Sequence, residues 1–232
     1  FNDPAVRKAM RLAFDREKAI QVAYLGFGHP GNDLFGEAHA SYNSSLPQRT
    51  YDPAAAKNLL QAAGYTLPLK VTLYCADGGA GMIEGAEVLQ QSAKAAGFDV
   101  TLKKVTPGEL YNPATVLGKV PLGMDFYGGN SFQQMVFQTM LSNAPTPEFG
   151  MNSKAFDKAF YSALAILDPA KRKAAYDAIQ KQLWEDGGAI VWAYADNITA
   201  FSSKVGGTEA FDGPTIGLFY PGLNSGDLWI QH

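Results

Sequence analysis

The sequence is poor in cysteine, histidine and net positive charge, and each shortage excludes a class of protein. Its 232 residues contain one cysteine, Cys75, which excludes an internal disulfide framework and a metal site built from several cysteines. The three histidines, His29, His39 and His232, lie far apart and show no metal-ligand spacing. Lys and Arg number 19 against 22 Asp and Glu, a net charge of −3, so a nucleic-acid partner held through its phosphates is not expected.

Long apolar runs are missing as well. No window approaches the ~18 uninterrupted apolar residues that a bilayer-spanning helix needs. The first residues lack the basic and apolar regions of a signal peptide, so we expect either a mature sequence or a piece of a longer protein. Hydrophobic residues nevertheless make up 47% of the chain and charged residues 18%. This balance indicates a folded chain with a sizeable core rather than a disordered one.

Helix starts are marked by Asp-Pro pairs, in which Asp caps a free backbone N–H and Pro occupies the first helical position. There are three such pairs: Asp3-Pro4, Asp52-Pro53 and Asp168-Pro169. Apolar spacing extends the first predicted helix to about Leu25.

Strands alternate with these helices. Alternation over residues 69–75 predicts a half-buried strand, followed by a helix over about 82–96 and a second strand around Val100 and Leu102. Such a strand–helix–strand unit favours parallel strands joined by a right-handed crossover. The continuous apolar run 189–194 is typical of a strand covered on both faces. Residues 1–200 are therefore predicted to form an α/β fold, a mostly parallel sheet with helices on both faces, followed by an irregular, β-containing tail over 201–232.

Two glycine-rich segments suggest phosphate binding only superficially. Residues 26–31 match G-x-G-x-x-G but follow a helix instead of a strand, which indicates a loop. Residues 78–81 lie between a strand and a helix but lack the Lys-Ser/Thr of a P-loop, which favours a flexible connection. No nucleophile, base and orienting group come together in the sequence, and no cofactor or metal is predicted. An α/β enzyme, either a hydrolase or a nucleotide-dependent transferase, stays open as the alternative function.

Residues 125–131 form the strongest candidate binding segment, because they lie between a predicted apolar strand and a predicted helix. Aromatic rings there offer stacking area, glycines allow close approach of the backbone, and an amide offers both a donor and an acceptor. The open alternative is an ordinary strand–turn–helix junction with both aromatic rings in the core. The predicted ligand-binding residues are Phe126, Tyr127, Gly128, Gly129, Asn130 and Ser131.

Two motifs carry a resemblance to a known family. Residues 1–9 (FNDPAVRKA) with 13–17 (AFDRE) resemble F-x-D-x-x-V-R-x-A…A-x-D/N-R/K-E. Residues 51–60 (YDPAAAKNLL) with 63–65 (AGY) are similar to Y-D-P-x-x-A-K-x-L-L…A-G-Y. Both patterns are found in family 5 extracellular solute-binding proteins, the dipeptide-, oligopeptide- and nickel-binding receptors of bacterial ABC importers.

The resemblance implies a place for the chain in a larger receptor. In that family these segments begin the second lobe, so residues 1–200 would be the second, C-terminal lobe of a periplasmic-binding-protein-like receptor. Residues 201–232 would return to the missing N-terminal lobe. The implied function is capture of a small solute, peptide-like or otherwise polar, by lobe closure and its delivery to ABC permease subunits. The implied location is periplasmic or otherwise extracytoplasmic, with or without a lipid anchor.

The resemblance also bears on the binding segment. The family's ligand loop reads G-W-x-x-D, and on this sequence its Gly falls at Phe126, its Trp at Tyr127 and its Asp at Asn130. Tyr127 keeps an aromatic ring at the Trp position, whereas Asn130 replaces the carboxylate with an amide that supplies no charge to an ammonium group. The resemblance therefore implies a neutral polar solute, or a peptide anchored by the missing lobe. Trp192 and Tyr194 are expected to lie in the core, with lining of the cleft as the alternative.

Overall fold

The computed structural model describes residues 1–149, 153–198, 200–207 and 229–230. The chain divides into two compact units, Phe1–Tyr194 and Ala195–His232. Most of the predicted return segment, 201–232, lies outside the described residues. Within them no helix combines the length and the apolar character needed to cross a membrane.

The amino-terminal segment forms two helices, so the prediction of one helix reaching Leu25 is wrong. Helix α1, Pro4–Ala13, begins after Asp3, whose carboxylate accepts a hydrogen bond from the N–H of residue 5 at 2.8 Å. Helix α2, Arg16–Ala23, begins after Asp15, which accepts from the N–H of residue 18 at 3.0 Å. The apolar spacing continues across the break, but Asp15 caps a new helix N-terminus and so divides the segment.

The other two Asp-Pro pairs start helices as predicted. Helix α3, Pro53–Ala62, follows Asp52, whose carboxylate caps it at 2.9 Å. Helix α8, Pro169–Asp186, follows Asp168 in the same way. It is preceded by helix α7, Lys154–Leu164. These starts are determined locally, because the capping side chain and the proline act on neighbouring backbone groups.

The predicted parallel unit is confirmed. Strand β2, Leu69–Cys75, is followed by helix α4, Met82–Ser92, and strand β3, Phe98–Lys104, and the two strands pair in parallel along their whole length. Residues 122–124 run beside the other edge of β2, with a parallel bridge between Tyr74 and Gly123. The α/β class is therefore correct, and this arrangement brings residues 125–131 to the carboxyl end of the strands.

The remaining described elements are short. Helix α5 spans Pro107–Leu110, and α6, Phe132–Met135, continues as a π-helical turn, Val136–Met140. Strand β1, Gly28–Pro30, pairs with β4, Ala193–Ala195, and strand β5, Val205–Gly206, pairs antiparallel with β6, Trp229–Ile230. The last pair confirms a tail that contains β-structure.

The apolar run 189–194 is only partly a strand, which corrects the prediction of a continuous buried one. Two of its residues, Ala193 and Tyr194, lie in β4, and most of the run is half-buried. Its partner β1 has three residues, one of which is Pro30, and proline cannot donate to a sheet ladder. The run instead accepts hydrogen bonds from the loop that follows β1, through the N–H groups of Gly31 and Asp33.

The described residues of the first unit form two apolar cores. One is built between α1, α3, α4 and the parallel strands, and includes Met10, Leu60, Leu73 and Phe98. The other lies between α6, α7 and α8, where the rings of Phe132, Phe160 and Tyr176 pack against one another. The candidate binding segment runs from the first core to the second.

A buried ion cluster, here called the Asp33 cluster, joins α1, α2, the loop after β1 and the segment before α3. Asp33 accepts hydrogen bonds at 2.6 Å from Nη2 of Arg16 and from Nε of Arg49, while Nε of Arg11 lies 3.9 Å away. The arginine side chains are at most 5% exposed and that of Asp33 is fully buried. Burial lowers the pKa of Arg11 to about 10, and the Asp33 carboxylate opposes this shift. One carboxylate thus lies among three buried cations.

Candidate functional site

The predicted binding segment packs on the glycine turn 78–81 at the carboxyl end of β2. A Cβ placed on Gly79 would lie 3.0 Å from the ring of Phe126, and one on Gly78 would lie 3.1 Å from the ring of Tyr111. Phe126 is nevertheless 52% exposed, so it does not lie in the core as the junction alternative required. The glycines let an aromatic ring lie directly on the turn, a contact that the sequence analysis missed because it assigned the turn only a connecting role.

Tyr127 is fixed by contacts on its ring and on its hydroxyl. Its ring meets Phe35 edge-on, with centroids 5.7 Å apart, and lies 6.3 Å from the ring of Phe149. Its hydroxyl donates to Oε1 of Glu148 at 2.6 Å. Burial, followed by this hydrogen bond, raises the pKa of Tyr127 above its ordinary value. The half-buried ring is therefore held in one orientation.

Tyr111, Asp125, Tyr127 and Glu148 make up one group, here called the acid–tyrosine cluster. Burial, followed by hydrogen bonding with Asp125, raises the pKa of Glu148 to about 8. Burial and the charge of Asp125 raise the pKa of Tyr111 to about 12. The sequence offered no signal for this cluster, because its members lie up to 37 residues apart and match no spacing pattern.

The polar part of the predicted segment forms a tight turn. The N–H of Asn130 donates to the carbonyl of Gly128 at 2.6 Å, and Nδ2 of Asn130 lies 3.6 Å from Sδ of Met135. A Cβ on Gly129 would meet no atom within 4 Å, so the backbone there is open to approach. Ser131 caps α6 in a reciprocal pair with Gln134, which engages its hydroxyl. The structure brings all six predicted residues to one edge of the fold, and their contact with a ligand stays a prediction.

A second turn holds this segment from the other side. Gly36 has a φ of +86°, and a Cβ there would lie 2.8 Å from the backbone nitrogen of Phe132. Nε2 of His39 lies 2.8 Å from the carbonyl oxygen of Gly129, and the hydroxyl of Ser41 donates to Gln133 at 2.9 Å. The turn over residues 36–41 therefore sets the position of the segment 129–133.

Two other aromatic residues have structural contacts. Trp192 packs on the first core, as expected, and stacks on Tyr24 with ring centroids 5.3 Å apart. Tyr194 is half-buried and its hydroxyl donates to the carbonyl of Leu34 at 2.5 Å. Across the described ranges, no three His, Cys, Asp or Glu side chains are grouped in a way that could hold a metal ion.

Comparisons with known proteins agree with this architecture. Residues 1–148 match the family described as bacterial extracellular solute-binding proteins, family 5 middle. The glutathione-binding protein GsiB of Shigella dysenteriae is 27% identical over 222 residues, which cover 87% of this chain and 42% of that protein. The chain thus spans less than half the length of this curated relative.

Solved structures show the same fold. HbpA2 from Haemophilus parasuis superposes with a TM-score of 0.76 at 21% identity, over 89% of this chain and 42% of that one. The periplasmic binding protein DppA from Helicobacter pylori, solved with a bound peptide, superposes with a TM-score of 0.67 at 23% identity, over 89% of this chain and 41% of that one. Because the family match covers well over half of the residues, this chain belongs to the family 5 bacterial extracellular solute-binding proteins.

Proposed function

We propose that the protein containing this chain is the substrate-binding receptor of a bacterial ABC importer. It captures a small solute, peptide-like or otherwise polar, outside the cytoplasmic membrane and delivers it to the permease. Family membership supports this proposal, as do relatives described as binding glutathione or a peptide. In the proposal, residues 1–200 supply the second lobe of the receptor and residues 201–232 return to the first lobe.

The observation that carries the proposal is the surface at the carboxyl end of the parallel strands. There an exposed ring, Phe126, lies on a glycine turn, and the open backbone of Gly129 lies beside the amide of Asn130. Ligands of α/β sheets commonly bind outside the carboxyl ends of the strands. In this proposal Phe126 and Tyr127 supply apolar area, Gly128 and Gly129 supply backbone groups, and Asn130 and Ser131 supply polar contacts.

Closure of the first lobe over this surface would exclude water and strengthen each polar contact. The hydroxyl of Tyr127 is already bonded to Glu148, so the ring of Tyr127 is the part available to a solute. Asn130 supplies hydrogen bonds without charge, which suits a neutral polar group better than an ammonium group. A charged peptide amine would need its compensating charge from elsewhere in the receptor.

The first test is solute binding by the intact receptor that contains this chain, measured by calorimetry with glutathione and with trialanine. We expect at least one probe to bind, and we expect Phe126→Ala to weaken its binding about tenfold, equivalent to about 1.4 kcal/mol. Phe137→Ala is the matched control, because Phe137 is 42% exposed and lies on the π-helical turn. Equal binding by wild type and Phe126→Ala would count against this surface.

A second test concerns charge at residue 130. Asn130→Asp restores the carboxylate of the family pattern, and we expect it to improve binding of trialanine about fivefold, since a charge-assisted hydrogen bond adds roughly 1 kcal/mol. Binding of N-acetylated trialanine, which has no ammonium group, should stay unchanged or weaken. Calorimetry on both peptides checks this. If Asn130→Asp changed the affinity for both peptides by the same factor, residue 130 would not contact the amine.

A further inference from the structure

We infer that Glu148 is a positioning residue for the binding segment: a proton that Glu148 retains and places in a hydrogen bond to Asp125 holds residues 125–131 in place, and loss of that proton loosens them. The inference rests on the proposed function in one respect, namely that this segment meets the solute. The contacts themselves belong to the acid–tyrosine cluster, and they do not depend on the proposed function.

The contacts show how Glu148 acts on the segment. Its Oε1 accepts the hydroxyl proton of Tyr127 at 2.6 Å, and its carboxyl group is hydrogen-bonded with that of Asp125. Asp125 in turn accepts a hydrogen bond from the N–H of Phe126 at 2.6 Å. Three consecutive residues of the binding segment thus depend on one side chain that comes from a distant part of the chain.

The charges around the pair explain why a proton is needed. Within the part of the chain that the structure describes, the titratable groups placed against Glu148 are Asp125 and Tyr127 from the binding segment and Tyr111 from the end of α5, and none of these is a cation. Among the ion pairs formed by the described residues, none includes Asp125 or Glu148. Two neighbouring carboxyl groups without a cation cannot both ionise cheaply, so Glu148 retains its proton.

The direction of the pH dependence follows from the pKa of Glu148, which burial and Asp125 raise from 4.5 to about 8. Between pH 4.5 and about pH 8, Glu148 holds a proton in the folded chain that it has lost in the unfolded or opened chain. The proton-bound arrangement therefore loses stability as the pH rises across this window, and the loss is complete above about pH 8. Alkaline conditions should separate the two carboxylates and release the hydroxyl of Tyr127.

Hydrogen exchange on the 232-residue chain tests this without any solute. Protection of the amides of residues 125–131, taken relative to their intrinsic exchange rates, should fall about tenfold or more between roughly pH 6 and pH 9. Glu148→Gln should keep that protection and remove its pH dependence, because an amide can accept from Tyr127 and donate to Asp125 whatever the pH. Asp125→Asn should do the same through a different side chain. Glu185→Gln, an exposed position paired with Lys181, is the control and should behave as wild type.

Two outcomes would overturn the inference: a wild-type chain whose segment shows no pH-dependent protection, or a pH dependence that survives in both Glu148→Gln and Asp125→Asn. The proposed function fails separately. If the intact receptor bound neither glutathione nor trialanine while the exchange results were as expected, the positioning role of Glu148 would stand and the assigned solutes would be wrong.

Discussion

Replacing Asp33 by asparagine is expected to destabilise the chain by about 3–5 kcal/mol, the usual cost of leaving buried charges without their partner. Asparagine keeps the shape of the side chain and tolerates the left-handed backbone at this position, where φ is +62°. The loss of stability would therefore come from the missing negative charge. Three buried arginines would remain, and Arg16 and Arg49 would lose the carboxylate that accepts their hydrogen bonds at 2.6 Å.

Urea unfolding followed by circular dichroism measures this effect. Asp186→Asn is the matched control, because Asp186 also pairs with an arginine, Arg7 at 2.5 Å, but its side chain is 50% exposed. An exposed pair of this kind contributes about 1 kcal/mol or less. Equal losses in the two variants would show that the Asp33 cluster is not a stabilising unit.

The second large effect is expected from Gly36→Ala. Alanine in the left-handed conformation, here with φ of +86°, costs about 1–2 kcal/mol. The added Cβ would also lie 2.8 Å from the backbone nitrogen of Phe132, and relieving such crowding costs about 1–3 kcal/mol more. The backbone of residues 130–132 would have to move, so the candidate binding segment should be displaced together with the loss in stability.

Gly64→Ala separates the two contributions. Gly64 has a similar φ of +83°, but a Cβ there would meet no atom within 4 Å, so only the conformational cost of about 1–2 kcal/mol applies. Unfolding midpoints give the stabilities, and amide chemical shifts of residues 129–133 report any displacement. If Gly36→Ala changed the amide shifts only of residues next to 36 in the sequence and left those of residues 129–133 unchanged, the positioning role of this turn would be contradicted.

Contacts between residues far apart in the chain could not be predicted from the sequence. The place of the six candidate binding residues between a strand and a helix predicts that they lie at the edge of the sheet, and the structure puts them there. Glu148 lies 21 residues beyond Tyr127 and carries no motif, so its hydrogen bond to that hydroxyl could not be foreseen. The same holds for the packing of Phe126 on Gly79, which joins segments that are 47 residues apart.

The sequence by itself determined the elements whose causes are local: the helix starts after Asp3, Asp52 and Asp168, and the alternating strands β2 and β3. A capping carboxylate or an alternating strand acts on its immediate neighbours, so a short stretch of sequence is enough to predict it. The tertiary structure alone decided the acid–tyrosine cluster and the Asp33 cluster. The pKa of a carboxyl group and the stability of a buried ion pair depend on which distant groups surround them, and only the folded chain brings those groups together.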